Sequence, residues 1–544
     1  MLPKITTALL LLGAIGFESQ AQLTVQSGAS FYMQSGSLVT VQGDVQNAGT
    51  INNDGNLKVQ GNYTNTGTYT GVGSAGVLEM YGIGNSNITP GSSAIANLTI
   101  NKSAASDVVT LTASTTVNNG FTLTQGILTT NPTVTPAVAL ISPAATPYTF
   151  AAGKEVIGKV RRTGWSAGTS RVFNQPNMQV STAGGTTPTD ITVNMIPNGD
   201  PTQTEREVKR VFNFEQTGGS GFTADVRYPY LSSELNTNTE GNLVPWRLVS
   251  SEWNARLTPV TRDGANDWVS TTGIAATDLI QEWKLADPNY TMNVMANLRG
   301  PWNGTTMNTN INSILPLNQP YNVSPYNYTG TETAISIPAT AVDWVLVEHR
   351  KPASGLPADA LVATITGRKA GFLLSNGTVV EVDGVTPISV PITKQGNAFI
   401  AIRHRNHLGV LSNVIASNIT GSFANDYTIL ANSYKPVGAP SDPVVLLSGG
   451  GGKYGLWAGD ANKNGAVNAT DVNAIKSAIA GSTTGYQFTD ANMSNSINAT
   501  DVTITKSTIS LSGAGSGTNL RTAANGTSLN TKAVTNLPDP IIEN

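Results

Sequence analysis

Two segments of this chain place oxygen-bearing side chains at the same intervals: Asp460, Asn462, Asn464, Asn468 and Asp471 in one, and Asp490, Asn492, Ser494, Asn498 and Asp501 in the other. Counted from each first aspartate these are positions 1, 3, 5, 9 and 12, with Gly465 or Asn495 at position 6 and the backbone carbonyl of Ala466 or Ser496 at position 7. A hard, oxygen-seeking cation such as calcium requires that spacing of a loop. The first loop fills every slot. In the second, Ser494 replaces a stronger ligand and Asn495 stands where glycine is expected, although asparagine tolerates left-handed backbone better than most residues. Weaker binding is therefore expected there. Two carboxylates per loop set the affinity toward the extracellular end of the range, about 10⁻⁴ to 10⁻³ M.

Each loop runs into a similar segment, Asn468-Ala-Thr-Asp-Val-Asn-Ala-Ile-Lys-Ser and Asn498-Ala-Thr-Asp-Val-Thr-Ile-Thr-Lys-Ser. Val472, Ile475 and Ile479 fall at i, i+3 and i+7, which predicts one apolar helical face. A loop followed by a helix, used twice, is half of an EF-hand duplicated. Over about residues 456–512 this resembles the type I dockerin module of secreted bacterial proteins. The resemblance implies that calcium is the cofactor and that Ala469-Thr470 and Ala499-Thr500, at positions 10 and 11, meet a cohesin-like partner. It also implies two pseudo-symmetric docking poses, because the halves are nearly identical. The competing expectation is a module that packs on a neighbouring domain of its own chain.

At the other end, Lys4 precedes an apolar run from Ala8 to Phe17, followed by Ser19-Gln20-Ala21. A short basic head, an apolar core too brief to span a membrane and small residues at its end predict a signal peptide over residues 1–21 and export of the remainder. No later run offers the ~18 apolar residues of a membrane helix. The chain has no cysteine, so disulfides cannot hold it together in an oxidising compartment. Only 12% of its residues are charged and the net charge is −3, which removes any electrostatic case for nucleic acid or an acidic membrane. Proteins or sugars are the expected partners.

Between these ends the sequence predicts a mainly β, multidomain chain. From residue 22 to 150 a strand-and-turn phrase recurs; its closest copies, Val41-Gln-Gly-Asp-Val-Gln-Asn-Ala-Gly-Thr50 and Val59-Gln-Gly-Asn-Tyr-Thr-Asn-Thr-Gly-Thr68, start 18 residues apart (59 − 41). That period reads as the coils of a β-solenoid, with asparagine laddering at the turns; a sandwich of repeated hairpins is the alternative. The region resembles solenoid stalks of bacterial adhesins and surface-layer proteins. Phe222, Ala224, Val226, Tyr228 and Tyr230 alternate with more polar neighbours, as in a half-buried strand. Such runs predict two Ig-like β-sandwiches, 151–298 and 299–436. In the second, the strings Asp343-Trp-Val-Leu-Val-Glu348 and Arg403-His-Arg-Asn-His-Leu-Gly-Val410 resemble a module of large secreted bacterial surface proteins. A Pro/Gly linker (437–455) is expected to let the dockerin-like domain (456–512) swing, and a disordered polar tail (513–544) to follow.

Catalytic chemistry has weaker signals. His349 and His404 invite a zinc site or general base if a strand pairing joins them, but His404 alternates in phase with Ile400 and Ile402, as a structural histidine would. The acid pairs Asp343 with Glu348 and Glu381 with Asp383 are of the kind glycoside hydrolysis uses, and equally ordinary in a sheet protein. Trp246, Trp253, Trp268, Trp283 and Trp302 would suit sugar stacking if exposed and a core if buried. The expectation is a secreted, non-enzymatic protein of cell-surface adhesion or extracellular assembly. The alternative is an accessory carbohydrate-binding subunit of a cohesin/dockerin polysaccharide-degrading complex.

Overall fold

The structure, a computed structural model, describes residues 21–71, 75–130, 138–199, 206–415, 421–437, 439 and 441–512. The expected signal peptide, except for Ala21, and the expected disordered tail lie outside the described residues. The chain forms two compact units, one ending at Asp287 and the other beginning at Pro288, with Glu252–Ala255 belonging to the second.

The first unit opens as a solenoid. Its early coils stack in three parallel ladders: Leu23–Val25 on Val45–Asn47 on Tyr63–Asn65, Ser30–Met33 on Thr50–Asn53 on Thr68–Thr70, and Leu38–Val41 on Asn56–Val59 on Val77–Gly82. Val41 pairs with Val59, and Val45 with Tyr63, both 18 residues apart (59 − 41; 63 − 45), the spacing read in the sequence. Repeated hairpins would have paired antiparallel. Alternate side chains point inward, and Val45, Ile51, Leu57, Val59 and Tyr63 are wholly buried.

Asparagine is buried at the corners. Asn47 Nδ2 donates to Asn65 Oδ1 at 2.7 Å, and Asn65 Nδ2 donates in turn to the Pro90 carbonyl at 2.9 Å. Asn53 Nδ2 donates to the Tyr69 hydroxyl and the Val77 carbonyl. Each amide thereby joins one coil to the next, and Asn47 and Asn53 also accept from the amides of Gly49 and Gly55. Glycine is needed at these turns because coils touch: a Cβ on Gly67 would lie 2.1 Å from the Gly49 carbonyl oxygen.

Two ladders continue through Ser86–Thr89, Val108–Leu111 and Ile127–Thr129, and through Ile95–Lys102, Thr115–Gln125 and Tyr148–Phe150. The change expected at residue 151 is not a break. Val156–Thr163 pairs parallel with Ala139–Pro143 and antiparallel with Asp190–Pro197, so one strand closes the solenoid and begins the first sandwich. Beyond it the sheet adds Arg210–Thr217, Glu282–Ala286 and Val244–Val249. The facing sheet runs Arg171–Val172, Gln179–Ala183, Thr223–Pro229, Trp268–Ala275 and Val260–Asp263, with the short helix α1 (Ala276–Leu279) following Trp268–Ala275. Phe212, Tyr228 and Trp283 meet between the sheets, and one apolar cluster extends from Val25 to Leu285.

In the second unit, Asn289–Met295 lies between Ile388–Pro391 and Ser422–Asp426. It belongs to the second sandwich, so the boundary falls at residue 287 and not at 298. The opposing sheet is ordered Val379–Val380, Ile365–Leu374, Ala341–Arg350, Phe399–Arg403, Val410–Leu411. Every residue of Ala341–Arg350 is buried. The His349 ring packs on Phe423 of the other sheet at 5.1 Å, while Trp344 Nε1 donates to the Pro316 carbonyl at 2.8 Å and its own carbonyl accepts from the Tyr321 hydroxyl at 2.6 Å. Irregular chain thus covers the face that would otherwise meet water.

Within the swinging linker expected over 437–455, residues 445–455 are instead folded. Val445–Leu446 pairs with Tyr454–Gly455, and Val445 and Leu447 pack with Leu408, Trp457 and Val467. Apolar residues between the proline and glycine runs outweigh the freedom those runs suggest. The glycines turn the hairpin, with Gly449, Gly451 and Gly452 at positive φ.

Removing one corner amide leaves its neighbours unpaired inside the stack. Asn65→Ala is expected to destabilise the first unit by about 1–3 kcal/mol, read as a lower urea midpoint at unchanged m-value.

Candidate calcium centre and docking module

Helices α2 (Ala469–Ala480) and α3 (Ala499–Leu511) each follow one of the oxygen-rich loops. Their starts are built identically. Asn468 and Asn498 cap the helices, each accepting from the amide of the residue two on, at 2.8 Å, while Asp471 and Asp501 reach back to the cap amide at 2.9 Å. The same aspartates accept from the amides of Asn462 and Asn492 at 3.2 and 3.1 Å, which closes each loop end to end. Asp460 and Asp490 accept from the amides at position 6, Gly465 and Asn495, at 3.0 and 2.9 Å. Both loops turn through left-handed backbone at positions 4 and 6: Lys463 and Gly465 (φ 63° and 74°), Met493 and Asn495 (φ 57° and 69°). Asn495 therefore adopts the conformation that glycine has in the first loop.

The loops differ in what remains unsatisfied. Asp460 Oδ1 is buried and has no hydrogen-bond donor, whereas both carboxylate oxygens of Asp490 accept backbone amides, from Ser494 and Asn495. Burial, and then the Asp471 carboxylate, push Asp460 up to about 7; burial also raises Asp471, Asp490 and Asp501 above their ordinary values. A buried carboxylate pair with an orphaned oxygen and neutral amide oxygens around it suits a divalent hard cation, and the first loop suits it better. Asp460, Asn462, Asn464, the Ala466 carbonyl and Asp471 would hold calcium there; Asn468, committed to its cap, would act through water, as position 9 often does. In the second loop Asp490, Asn492, Ser494, the Ser496 carbonyl, Asn498 and Asp501 take the corresponding places, but the Ser494 hydroxyl donates to the Ser496 carbonyl at 3.2 Å, tying two of those ligands to each other. Bound calcium would supply the positive charge that these carboxylates lack.

Residues 458–510 match the family model of the dockerin type I domain. No curated protein and no solved structure matches the chain. A dockerin is a docking module for cohesin, and type I dockerins bind calcium. Here Ala469, Thr470, Ala499 and Thr500 are all exposed at the helix starts. The threonine hydroxyls also serve the loops themselves. Asn462 Nδ2 donates to Thr470 Oγ1 at 2.8 Å and Asn492 Nδ2 to Thr500 Oγ1 at 2.7 Å, which orients the position 3 amides. Ile479, expected on the buried face of α2, is 38% exposed; the dockerin core consists of Ala461, Ile475 and Ala491 with Ile497, Val502 and Ile504 against them.

The dockerin is seated on polar groups of the second sandwich that nothing in the sequence joins to it. Arg405 Nε donates to Asp343 Oδ2 at 2.6 Å, its guanidinium lies over the Tyr486 ring at 4.3 Å, and the Tyr486 hydroxyl donates to Asp343 Oδ1 at 2.6 Å. His404 Nε2 lies 3.1 Å from Asp343 Oδ2 and must donate to it. Burial opposes the charge of Asp343, but Arg405, His404 and Tyr486 outweigh it and hold the carboxyl at about 2. Burial lowers His404 and His407, leaving both imidazoles neutral at pH 7. His407 Nδ1 donates to Asn406 Oδ1 at 2.8 Å and its Nε2 accepts from the Gly300 amide at 3.0 Å, which fixes its tautomer.

The other candidates are not gathered into a site. Pairing of His349 with Ile400 and Leu346 with Arg403 sets His404 opposite Val345, four residues from His349 (349 − 345), or about 13 Å along the strand. Glu348 is paired with Arg350, Glu381 with Lys369 at 2.9 Å, and Asp383 closes its own turn onto Thr386. Trp246, Trp253 and Trp283 are buried; Trp268 lies under Arg227, and Trp302 Nε1 donates to the Ser448 carbonyl. These five do not form an exposed stacking platform. Among the described residues no group of three or more His, Asp or Glu side chains is placed to hold a metal, and no helix is long and apolar enough to cross a membrane.

Calorimetric titration of the full chain should resolve two calcium events, the tighter at the first loop. Asp460→Ala should weaken that event by at least roughly tenfold, since loss of even an outer-sphere partner costs that much; Asp490→Ala should affect the weaker one. Acid unfolding addresses Asp343 separately. Its folded value lies below the ordinary 3.8, so its contribution is present above pH ~4 and is lost as pH falls through about 2. That contribution is on the order of 2 kcal/mol, and its disappearance in Asp343→Asn would be seen as a flatter stability profile between pH 4 and 2.

Proposed function

We propose that this chain is an exported, non-catalytic protein of cell-surface adhesion or extracellular assembly, attached to a cohesin-type partner through the helix starts of its dockerin. The observation that carries this reading is the exposure of both recognition pairs at the helix starts, while the first aspartate of each loop is buried and held by Asn406 of the sandwich. A surface groove of about 280 Å³ between α2 and α3, lined by Ala469, Asn473, Lys476 and Lys506 among others, adjoins the first pair. It offers a partner small residues for close approach and two cations at its rim. The solenoid and the first sandwich supply an extended, coil-by-coil surface of the kind repeat proteins use for binding. The residues first considered for acid catalysis are held in ion pairs or turns, which supports a non-catalytic role. Carbohydrate binding through exposed tryptophans lacks its platform, so the accessory-subunit reading is the weaker one.

Surface plasmon resonance of the full chain against a panel of recombinant type I cohesins, in millimolar calcium and in chelator, tests the proposal. Calcium-dependent binding is expected to at least one cohesin, weakened roughly 30-fold or more by Ala469→Arg combined with Ala499→Arg. Each single change should leave most of the affinity, because the second pose remains open. Absence of binding across the panel would count against a cohesin partner.

A further inference from the structure

We infer that calcium occupancy of the dockerin loops is coupled to folding of the second sandwich, through the turn Arg405–Leu408, so that the sandwich is itself a calcium-dependent domain. The inference rests on the reading of both loops as calcium sites.

Asn406 grips the two loops at their first ligands. Its carbonyl accepts from the amides of Gly459 and Asp460, at 3.0 and 3.1 Å, and its side-chain Nδ2 donates to the Asp490 carbonyl at 2.8 Å. Asp460 and Asp490 are equivalent residues of the duplicated loops, so one sandwich residue spans both halves of the module. Neighbouring contacts extend the grip. Arg405 donates to the Gln487 carbonyl, and the Leu408 amide donates to the Trp457 carbonyl at 2.9 Å. Arg299 donates to Thr508 Oγ1 at 2.7 Å and Ser507 Oγ at 2.8 Å, anchoring α3. Van der Waals fit is equally close: a Cβ on Gly300 would lie 2.2 Å from the Ala491 carbonyl oxygen. Val467 and Ile509 of the dockerin share an apolar cluster with Leu408, Val445, Leu447 and Trp457.

These contacts are buried and polar on the sandwich side. Arg405, Asn406 and His407 are each 1% exposed or less. Were the loops to lose their shape, Asn406 and Arg405 would be left with unpaired hydrogen-bonding groups and a buried charge short of partners, a condition that destabilises a core strongly. A ligand that holds the loops in shape therefore stabilises the sandwich beneath them. Linkage is reciprocal: a sandwich residue that never touches calcium must contribute to calcium affinity.

Hydrogen exchange of the full chain in millimolar calcium and in chelator tests this directly, with peptides covering 341–350, 399–411 and 458–510. Chelation is expected to remove protection from all three. If 458–510 loses protection while 341–350 and 399–411 keep theirs, the coupling is wrong although the calcium reading stands. If none of the three responds, the calcium reading has failed and the coupling with it. In a parallel calorimetric titration, Asn406→Ala and Arg299→Ala should each weaken calcium binding about fivefold or more, the lower end of ordinary coupling. Affinity unchanged in both variants would overturn the proposal.

Discussion

A guanidinium and a carboxylate buried together, Arg405 and Asp343, set the terms for the whole second unit. Neither charge can be left alone in a protein interior, and their mutual attraction repays desolvation only when the remaining donors and acceptors are also met. Asp343 meets that condition with His404 and Tyr486 on its two oxygens; Arg405 meets most of it, with Nη1 on the Gln487 carbonyl and its face on the Tyr486 ring, while its Nη2 has no hydrogen-bond partner among the described residues. Tyr486 and Gln487 belong to the segment that leads into the second calcium loop. The sandwich therefore completes its polar core with groups from the dockerin, which explains why a segment that reads as a detachable module is seated so firmly.

The solenoid solves the same problem by repetition. Asparagine amides buried at the corners are each satisfied by the next coil, so every coil is a partner for two others and none is complete alone. This makes the stack dependent on its final coil, and Val156–Thr163 provides the closure by pairing parallel with the solenoid on one edge and antiparallel with the first sandwich on the other. A parallel edge left open would be a template for unwanted strand addition.

Duplication gives the two calcium loops the same backbone, down to left-handed residues at positions 4 and 6, but not the same surroundings. The first loop buries an unpartnered carboxylate oxygen and the second does not. On the helices, α3 is anchored by Arg299 while the recognition pairs of both halves remain exposed. A module that is symmetric in sequence is thus asymmetric once it is mounted.

Local periodicity and ligand spacing were enough to determine the oxygen positions of both loops, the helices that follow them, the 18-residue coil repeat and the alternation of Phe222 to Tyr230. Each of these depends on residues near one another in the chain, where backbone geometry leaves few choices. The solenoid was legible because its register equals its sequence period. What the sequence did not disclose is long-range. Nothing local joins Asp343 to Tyr486, or Asn406 to Asp460 and Asp490, and the string Arg403-His-Arg-Asn-His407 offered a resemblance and an in-phase structural histidine but no partner for its polar groups. The linker departs from its expected freedom because proline and glycine report only backbone stiffness and flexibility, while Val445, Leu447 and Trp457 decided the outcome by finding an apolar surface to cover. The tertiary structure decided which buried charges found partners: Asp343 and Arg405 pair within the sandwich, and the neutral groups of Tyr486 and Gln487 reach them from the other side of the dockerin boundary.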